Sequence, residues 1–431
     1  MHRVPWRLSS LLLVAILVGC TAAPPSSPAA SGGDALAAAR QEIDRAIERL
    51  VRQHPEPFHA ITEAEFRREA EALGAQLGEM TPDEAMVGLM RLWARLAPQR
   101  DGHQFAFLAE RTDEPILPLR VYEFAEGVYV TAAMAPHEDV VGSRLTAVAG
   151  RPIDEVLAAL EPLVPRDGPA TVPAFRPIFL LKVSVLRGLG LVGQGDVEIT
   201  VADEGGTERR VELAPVPVAE FESWAGWLAY TGLPTREGLR HTQGIHDVFS
   251  VERLPEGGIY VRYAAVRPVD RGEVAEITEL AADHPDEPVI VDLRQNPGGD
   301  NHEYPPILSA LNDSAIDRPG KLLVLTDRVT FSAASNFSTE IEVGTDAVFI
   351  GEPMGGGLNF WDDVTFLQLP DYAVPMRVGI STRYWQKADA DDTRLTIEPE
   401  VSVPVRAEDY FAGRDATLEA ALAYAAEAAG R

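Results

Sequence analysis

Cysteine is almost missing from this chain of 431 residues: Cys20 is the only one. An intramolecular disulfide is therefore excluded, and once Cys20 is modified no thiol is left for catalysis or for holding a metal. A membrane-spanning run is missing too, because the apolar stretch Leu11 to Val18 is too short to cross a bilayer. Excess positive charge is missing as well. The formal net charge of −28 repels polyphosphates, which argues against a nucleic-acid partner and serves solubility. No sequence repeat stands out, and the low-complexity stretch is the Pro/Ser/Ala/Gly segment 21–33. What remains is ordinary for a soluble globular body, at 46% hydrophobic and 24% charged residues. The length exceeds one typical core, so two or three domains are expected.

The N-terminus reads as an export signal. Arg3 and Arg7 precede the apolar run, and Leu17-Val18-Gly19-Cys20 closes it. The small-residue stretch ending in cysteine resembles a bacterial lipobox. That implies removal of residues 1–19 and lipidation of Cys20; the alternative is an ordinary signal peptide with an incidental cysteine. Residues 20–33 then form a flexible tether. The expected location is extracytoplasmic, anchored to a membrane through the lipid.

Residues 34–112 read as a helical region. Leu36, Ile43, Ile47 and Leu50 recur at helical spacing. Thr62-Glu63-Ala64-Glu65 has the form of a capping box, and Thr81 before Pro82 marks another helix start. Met86, Leu89, Met90, Trp93 and Leu96 supply that helix with an apolar face. The pattern stops at Pro98, just before Arg100-Asp101-Gly102-His103.

Residues 113–215 turn to strand signals. Ile116 to Val121 and Val128 to Ala132 are β-type runs, Ile153 to Leu160 a helix, and Asp196 to Leu213 a hairpin around Gly205-Gly206. This order resembles a PDZ domain, interrupted by an apolar, Pro-containing insert at 161–195; a generic small β-domain is the alternative. In the last segment, 216–431, strands and helices alternate from about residue 257, the sign of a mainly parallel sheet.

Two loops in that sheet bear on chemistry, since open α/β sheets place their sites at the C-terminal ends of the strands. In Asp292-Leu293-Arg294-Gln295-Asn296-Pro297-Gly298-Gly299-Asp300, consecutive glycines let backbone N–H groups approach a ligand oxygen. In Thr330-Phe331-Ser332-Ala333-Ala334, a serine falls where a strand gives way to a helix. Unpaired N–H groups and the helix dipole there favour an alkoxide and a developing oxyanion. Each loop also has a plainer reading, as a common turn and as an N-cap. Together they favour a nucleophile beside an oxyanion hole.

Val289 through Gly299 resembles the signature strand and loop of the tail-specific, or C-terminal processing, serine peptidases. Ser332-Ala333-Ala334, the glycine loop Gly351 to Gly357, and Ile397-Glu398-Pro399-Glu400-Val401 followed by Tyr410 to Asp415 resemble that family's later motifs, in the same order across roughly residues 100–425. The resemblance implies an α/β peptidase core of crotonase/Clp-like fold, preceded by the helical region and the PDZ-like domain. It implies Ser332 as nucleophile, with the N–H groups of Gly299 and Ala333 as oxyanion hole. The family's dyad lysine is replaced by Gly357, and neither Lys321 nor Lys387 stands in its place. A serine needs a base within hydrogen-bond reach. The tricorn-like branch draws a histidine from a place comparable to His103, and an imidazole suits general-base work near neutrality. In that branch a serine precedes the base, where this chain has Gly102, and a glutamate orients it, where this chain has Thr393. Asp391 and Asp392 lie beside Thr393; Asp392 is the expected substitute, and a solvated acidic turn is the alternative reading.

The remaining histidines carry less. His54 with His59, and His241 with His246, have a spacing that suits metal ligands, but no acidic partner in a helix motif and no cysteine accompany them, so neither metal nor cofactor is expected. His302, Trp361 and Trp385 suit either the substrate cleft or ordinary structural roles. The expected activity is cleavage of polypeptides through an acyl-enzyme on Ser332, the PDZ-like domain holding a strand or free carboxylate. A non-catalytic binding protein on the same fold and a hydrolase of small esters or amides are the alternatives.

Overall fold

The computed structural model describes residues 32–108, 113–226, 232–243 and 248–430. The export signal, Cys20, nearly all of the tether and His246 lie outside the described residues. No helix among the described residues is long and apolar enough to cross a membrane.

Three helices, Gly32–Gln53, Glu63–Gln76 and Pro82–Ala94, open the described chain. The second and third begin as the sequence dictates. Thr62 and Thr81 each accept the backbone N–H of a glutamate three residues on, and that glutamate's side chain returns to the threonine N–H. Ile43, Ile47, Leu50, Phe66, Met86, Leu89 and Trp93 are buried in the core these helices share.

Residues 119–213 form an antiparallel sheet in the order Leu119–Phe124, Gly127–Ala133, Arg144–Val148, Val197–Ala202, Glu208–Leu213, with helix Ile153–Leu160 against it. The insert folds into helices Thr171–Leu181 and Val183–Gly188. The second packs on Pro82–Ala94 so closely that a Cβ at Gly188 would lie 2.2 Å from the Asp83 carbonyl oxygen. One hydrophobic core thus runs from the N-terminal helices through the insert to the sheet, across the boundary read from sequence at 112/113.

The last segment is built on a six-stranded sheet ordered Phe249–Arg253, Ile259–Tyr263, Val289–Asp292, Leu322–Thr326, Val348–Gly351, Val401–Ser402. The first pair is antiparallel and the rest are parallel. Apolar side chains on one sheet face pack with helices Arg271–Asp283, Pro305–Leu311 and Ala333–Gly344; those on the other pack with Ala416–Ala429. Two small antiparallel units complete it. Ala106–Leu108 pairs with Met376–Ile380, which pairs with Thr365–Leu369, and Asn359–Asp362 pairs with Arg383–Gln386.

Candidate active site

Strands Val289–Asp292 and Leu322–Thr326 are parallel neighbours with Asp292 opposite Leu325, so the loops that leave them run side by side. The buried Asp327 carboxylate laces them together. It accepts the backbone N–H of Gln295 (3.1 Å), Val329 (2.9 Å) and Thr330 (3.2 Å), and the Gln295 side-chain amide (2.9 Å). Asn296 accepts the Gly298 N–H at 2.9 Å on its side chain and the Phe331 N–H at 3.1 Å on its carbonyl.

Ser332 emerges from this lacing at φ 55°, ψ −127°, immediately before helix Ala333–Gly344. A non-glycine residue there costs about 1–3 kcal/mol and persists only when its surroundings over-determine it. Its hydroxyl does not cap the helix. It donates instead to Asp362 Oδ2 at 3.0 Å. Gly298, at φ 100°, lies against the serine so tightly that a Cβ would meet Ser332 Cβ at 2.7 Å and the Ala333 nitrogen at 2.8 Å. The Ala333 N–H is the first of its helix and has no intrahelical acceptor. Of the expected hole donors, Ala333 follows the serine directly, whereas Gly299 lies against Val266, whose carbonyl oxygen an added Cβ would meet at 1.9 Å.

His103 arrives from the helical region. Beyond it the chain joins the small sheet, where the Phe105 carbonyl accepts the Gly379 N–H at 2.7 Å and Trp93 donates to the Gly379 carbonyl at 2.9 Å. The imidazole stacks between Phe331 (centroids 4.7 Å, 24°) and Phe360 (5.9 Å, 11°). Its Nε2 lies 3.4 Å from Asp362 Oδ1, and both atoms are buried without a formed hydrogen bond. Asp362 closes strand Asn359–Asp362, which is tied to the base turn by the Trp361 N–H on the Arg100 carbonyl (2.8 Å). One carboxylate therefore faces the Ser332 hydroxyl with one oxygen and the imidazole with the other. Burial pushes the Asp362 carboxyl above its ordinary value, against the opposing pull of His103 and the Ser332 hydrogen bond. Ser332, Asp362 and His103 are only 1%, 3% and 5% exposed.

The expected acid, Asp392, goes elsewhere. Its carboxylate pairs with Arg394 at 2.7 Å, and Arg394 in turn with Glu342, because the acidic turn lies within reach of that guanidinium. Asp362 instead lies between Ser332 and His103, a place not foreseen from the sequence. The signal in the sequence was an aromatic pair, Phe360-Trp361, followed by an acid shortly after the glycine loop. Lysines do not enter the site: Lys182 pairs with Glu114, Lys387 with Glu340, and Lys321 bonds the Pro285 carbonyl.

His54 and His59 do converge, together with Asp101. Asp101 Oδ2 lies 3.1 Å from His54 Nε2 and 3.3 Å from His59 Nε2, and Oδ1 accepts the Ser381 hydroxyl at 2.6 Å. Three such donor atoms could surround a cation. However, His54 Nδ1 accepts the Glu56 N–H at 3.0 Å, which leaves the imidazole proton on Nε2, facing the carboxylate. The cluster is a hydrogen-bonded anchor for the turn that carries His103. His241 lies 3.5 Å from Asp415 in a different buried network. His302 is an exposed loop side chain on Asp300. Trp361 packs against His54 and Tyr384, and Trp385 donates to Asp363.

No protein-family model matches the chain, and no curated protein matches it by sequence. Solved structures do. The structure of mature CPAF complexed with lactacystin aligns with a TM-score of 0.58 at 14% identity, covering 92% of this chain and 98% of that one. A serine-to-alanine mutant of CPAF aligns at 0.59 and 14%, covering 88% and 95%. The C-terminal processing protease of photosystem II D1 aligns at 0.38 and 16%, covering 85% and 92%, too loosely to argue from. The likeness is one of fold, shared with CPAF over most of the chain.

Proposed function

We propose that this protein is a serine peptidase that cleaves polypeptides through an acyl-enzyme on Ser332, held outside the cytoplasm by a lipid on Cys20. The observation that carries the reading is the Ser332 hydroxyl, on a strained turn at a helix start, donating to a carboxylate whose second oxygen faces His103. In the proposed reaction Ser332 Oγ attacks the scissile carbonyl carbon, and its proton passes to the Asp362–His103 pair. The oxyanion lies against the N–H groups of Gly299 and Ala333. Collapse breaks the C–N bond, and the leaving amine takes the proton. Water then attacks the ester carbonyl carbon, giving its proton to the same pair; the bond from carbon to Oγ breaks, Ser332 Oγ takes that proton, and the carboxylic acid product leaves.

The test is labelling by a serine-directed fluorophosphonate, together with mass spectrometry of peptides released from an unfolded polypeptide. Labelling and release by the intact protein, both lost in Ser332→Ala, are expected. An unlabelled, inactive intact protein would favour the binding-protein reading; labelling with cleavage of small esters alone would favour a small-substrate hydrolase. Anchorage is read separately, as membrane association of the full chain that Cys20→Ala abolishes.

A further inference from the structure

Asp167 lies in the insert at 161–195, before helix Thr171–Leu181, and is fully buried. Its Oδ1 accepts the Gly102 N–H at 2.6 Å, and its Oδ2 accepts the Gly357 N–H at 3.3 Å. One carboxylate thus joins the turn that carries His103 to the glycine loop that leads to Asp362. The backbone around it repeats the connection. The Asp167 carbonyl accepts the Arg100 N–H at 2.9 Å. Thr171 Oγ1 accepts the N–H groups of Asp167 and Gly168 and donates to the Gly355 carbonyl.

We propose that Asp167 is a positioning residue for His103: in its ionised form it clasps the base turn to the glycine loop and favours the imidazolium that forms when the pair takes the Ser332 proton. This rests on the peptidase reading. The charged groups around it fit the role. His103 and Asp101 on the base turn act on it, the first lowering and the second raising its affinity for a proton. Asp362 faces His103 Nε2 at 3.4 Å. The neighbouring cations are engaged elsewhere, Arg166 with Glu161 and Arg100 with the Asp392 carbonyl. Burial dominates and pushes the carboxyl up to about 7, so the clasp loses its charge in mildly acid solution.

The test is the rate of fluorophosphonate labelling of Ser332 in the full chain, measured across neutral pH. In the intact protein Asp167 is one of the groups that must be unprotonated, so protonating it contributes to the fall of the rate in acid. Asp167→Asn removes that contribution, so the acid limb shallows and the plateau rate drops about 10- to 100-fold through misplacement of the base. Thr171→Val releases the clasp but leaves the buried charge, so it slows labelling while keeping the parent's acid limb. An Asp167→Asn protein with the parent's limb and rate would overturn the proposal. Should that variant not fold, an unchanged rate in Thr171→Val overturns it. Absence of labelling in the intact protein sinks the peptidase reading instead.

Discussion

Asp362 is the side chain on which the proposed chemistry turns, because its two oxygens face the Ser332 hydroxyl and the His103 imidazole. Its raised proton affinity suits a group that must accept a hydroxyl proton, whereas a well-solvated carboxylate would hold one too weakly. Asp362→Asn keeps the shape and cannot accept that proton. The expected result is a fall in kcat of about 10²- to 10⁴-fold with little change in KM, read by steady-state cleavage of an unfolded polypeptide. An equal fall in His103→Ala, with no further loss in the double variant, would show the two working as one unit. A variant that raised only KM would remove Asp362 from the chemistry.

Among the elements, local signals were legible and long-range ones were not. Thr62 and Thr81 announce their helices because a cap is settled within four residues. The adjacency of Gly298-Gly299 and Ser332 follows from parallel neighbours, a rule of topology that the alternating pattern reveals. The roles of Asp362 and Asp167 were not legible, the first despite the aromatic pair before it, because tertiary packing alone brings each to the turn that carries His103. The same packing explains Gly102, where the family resemblance calls for serine. A Cβ there would lie 3.0 Å from the Phe331 ring, 3.1 Å from the Asp167 nitrogen and 3.2 Å from its Oδ1. Gly102→Ser is therefore expected to destabilise the protein by about 1–3 kcal/mol and to slow Ser332 labelling. Denaturant unfolding beside the labelling rate checks this, and a neutral substitution would show that the clasp yields.

The molecule as a whole holds buried charges of two opposite kinds, and they make stability depend on pH in opposite senses. Beneath the Gly298-Gly299 loop, buried Arg294 pairs with Asp292 at 2.6 Å and with Asp415 at 2.7 Å, the latter from the start of the last helix. The guanidinium holds both carboxyls below their ordinary values, so this stabilisation is present at neutral pH and is lost in acid. Arg294→Met strands two buried carboxylates and is expected to cost about 3–5 kcal/mol in denaturant unfolding at neutral pH. Asp167 has the reverse sign. Unfolded, it titrates near its ordinary 3.8; folded, near 7. Between those values the folded chain holds one more proton than the unfolded chain, so this residue lowers stability as pH rises through the window and adds nothing further above it. Asp167→Asn has no such proton. Its stability relative to the intact protein must therefore increase from mildly acid to mildly alkaline solution, whatever the constant cost of an amide facing the Gly357 N–H. Melting temperatures of the two proteins across that range check it, and a difference that does not change with pH would place the Asp167 carboxyl in its ordinary ionised state throughout.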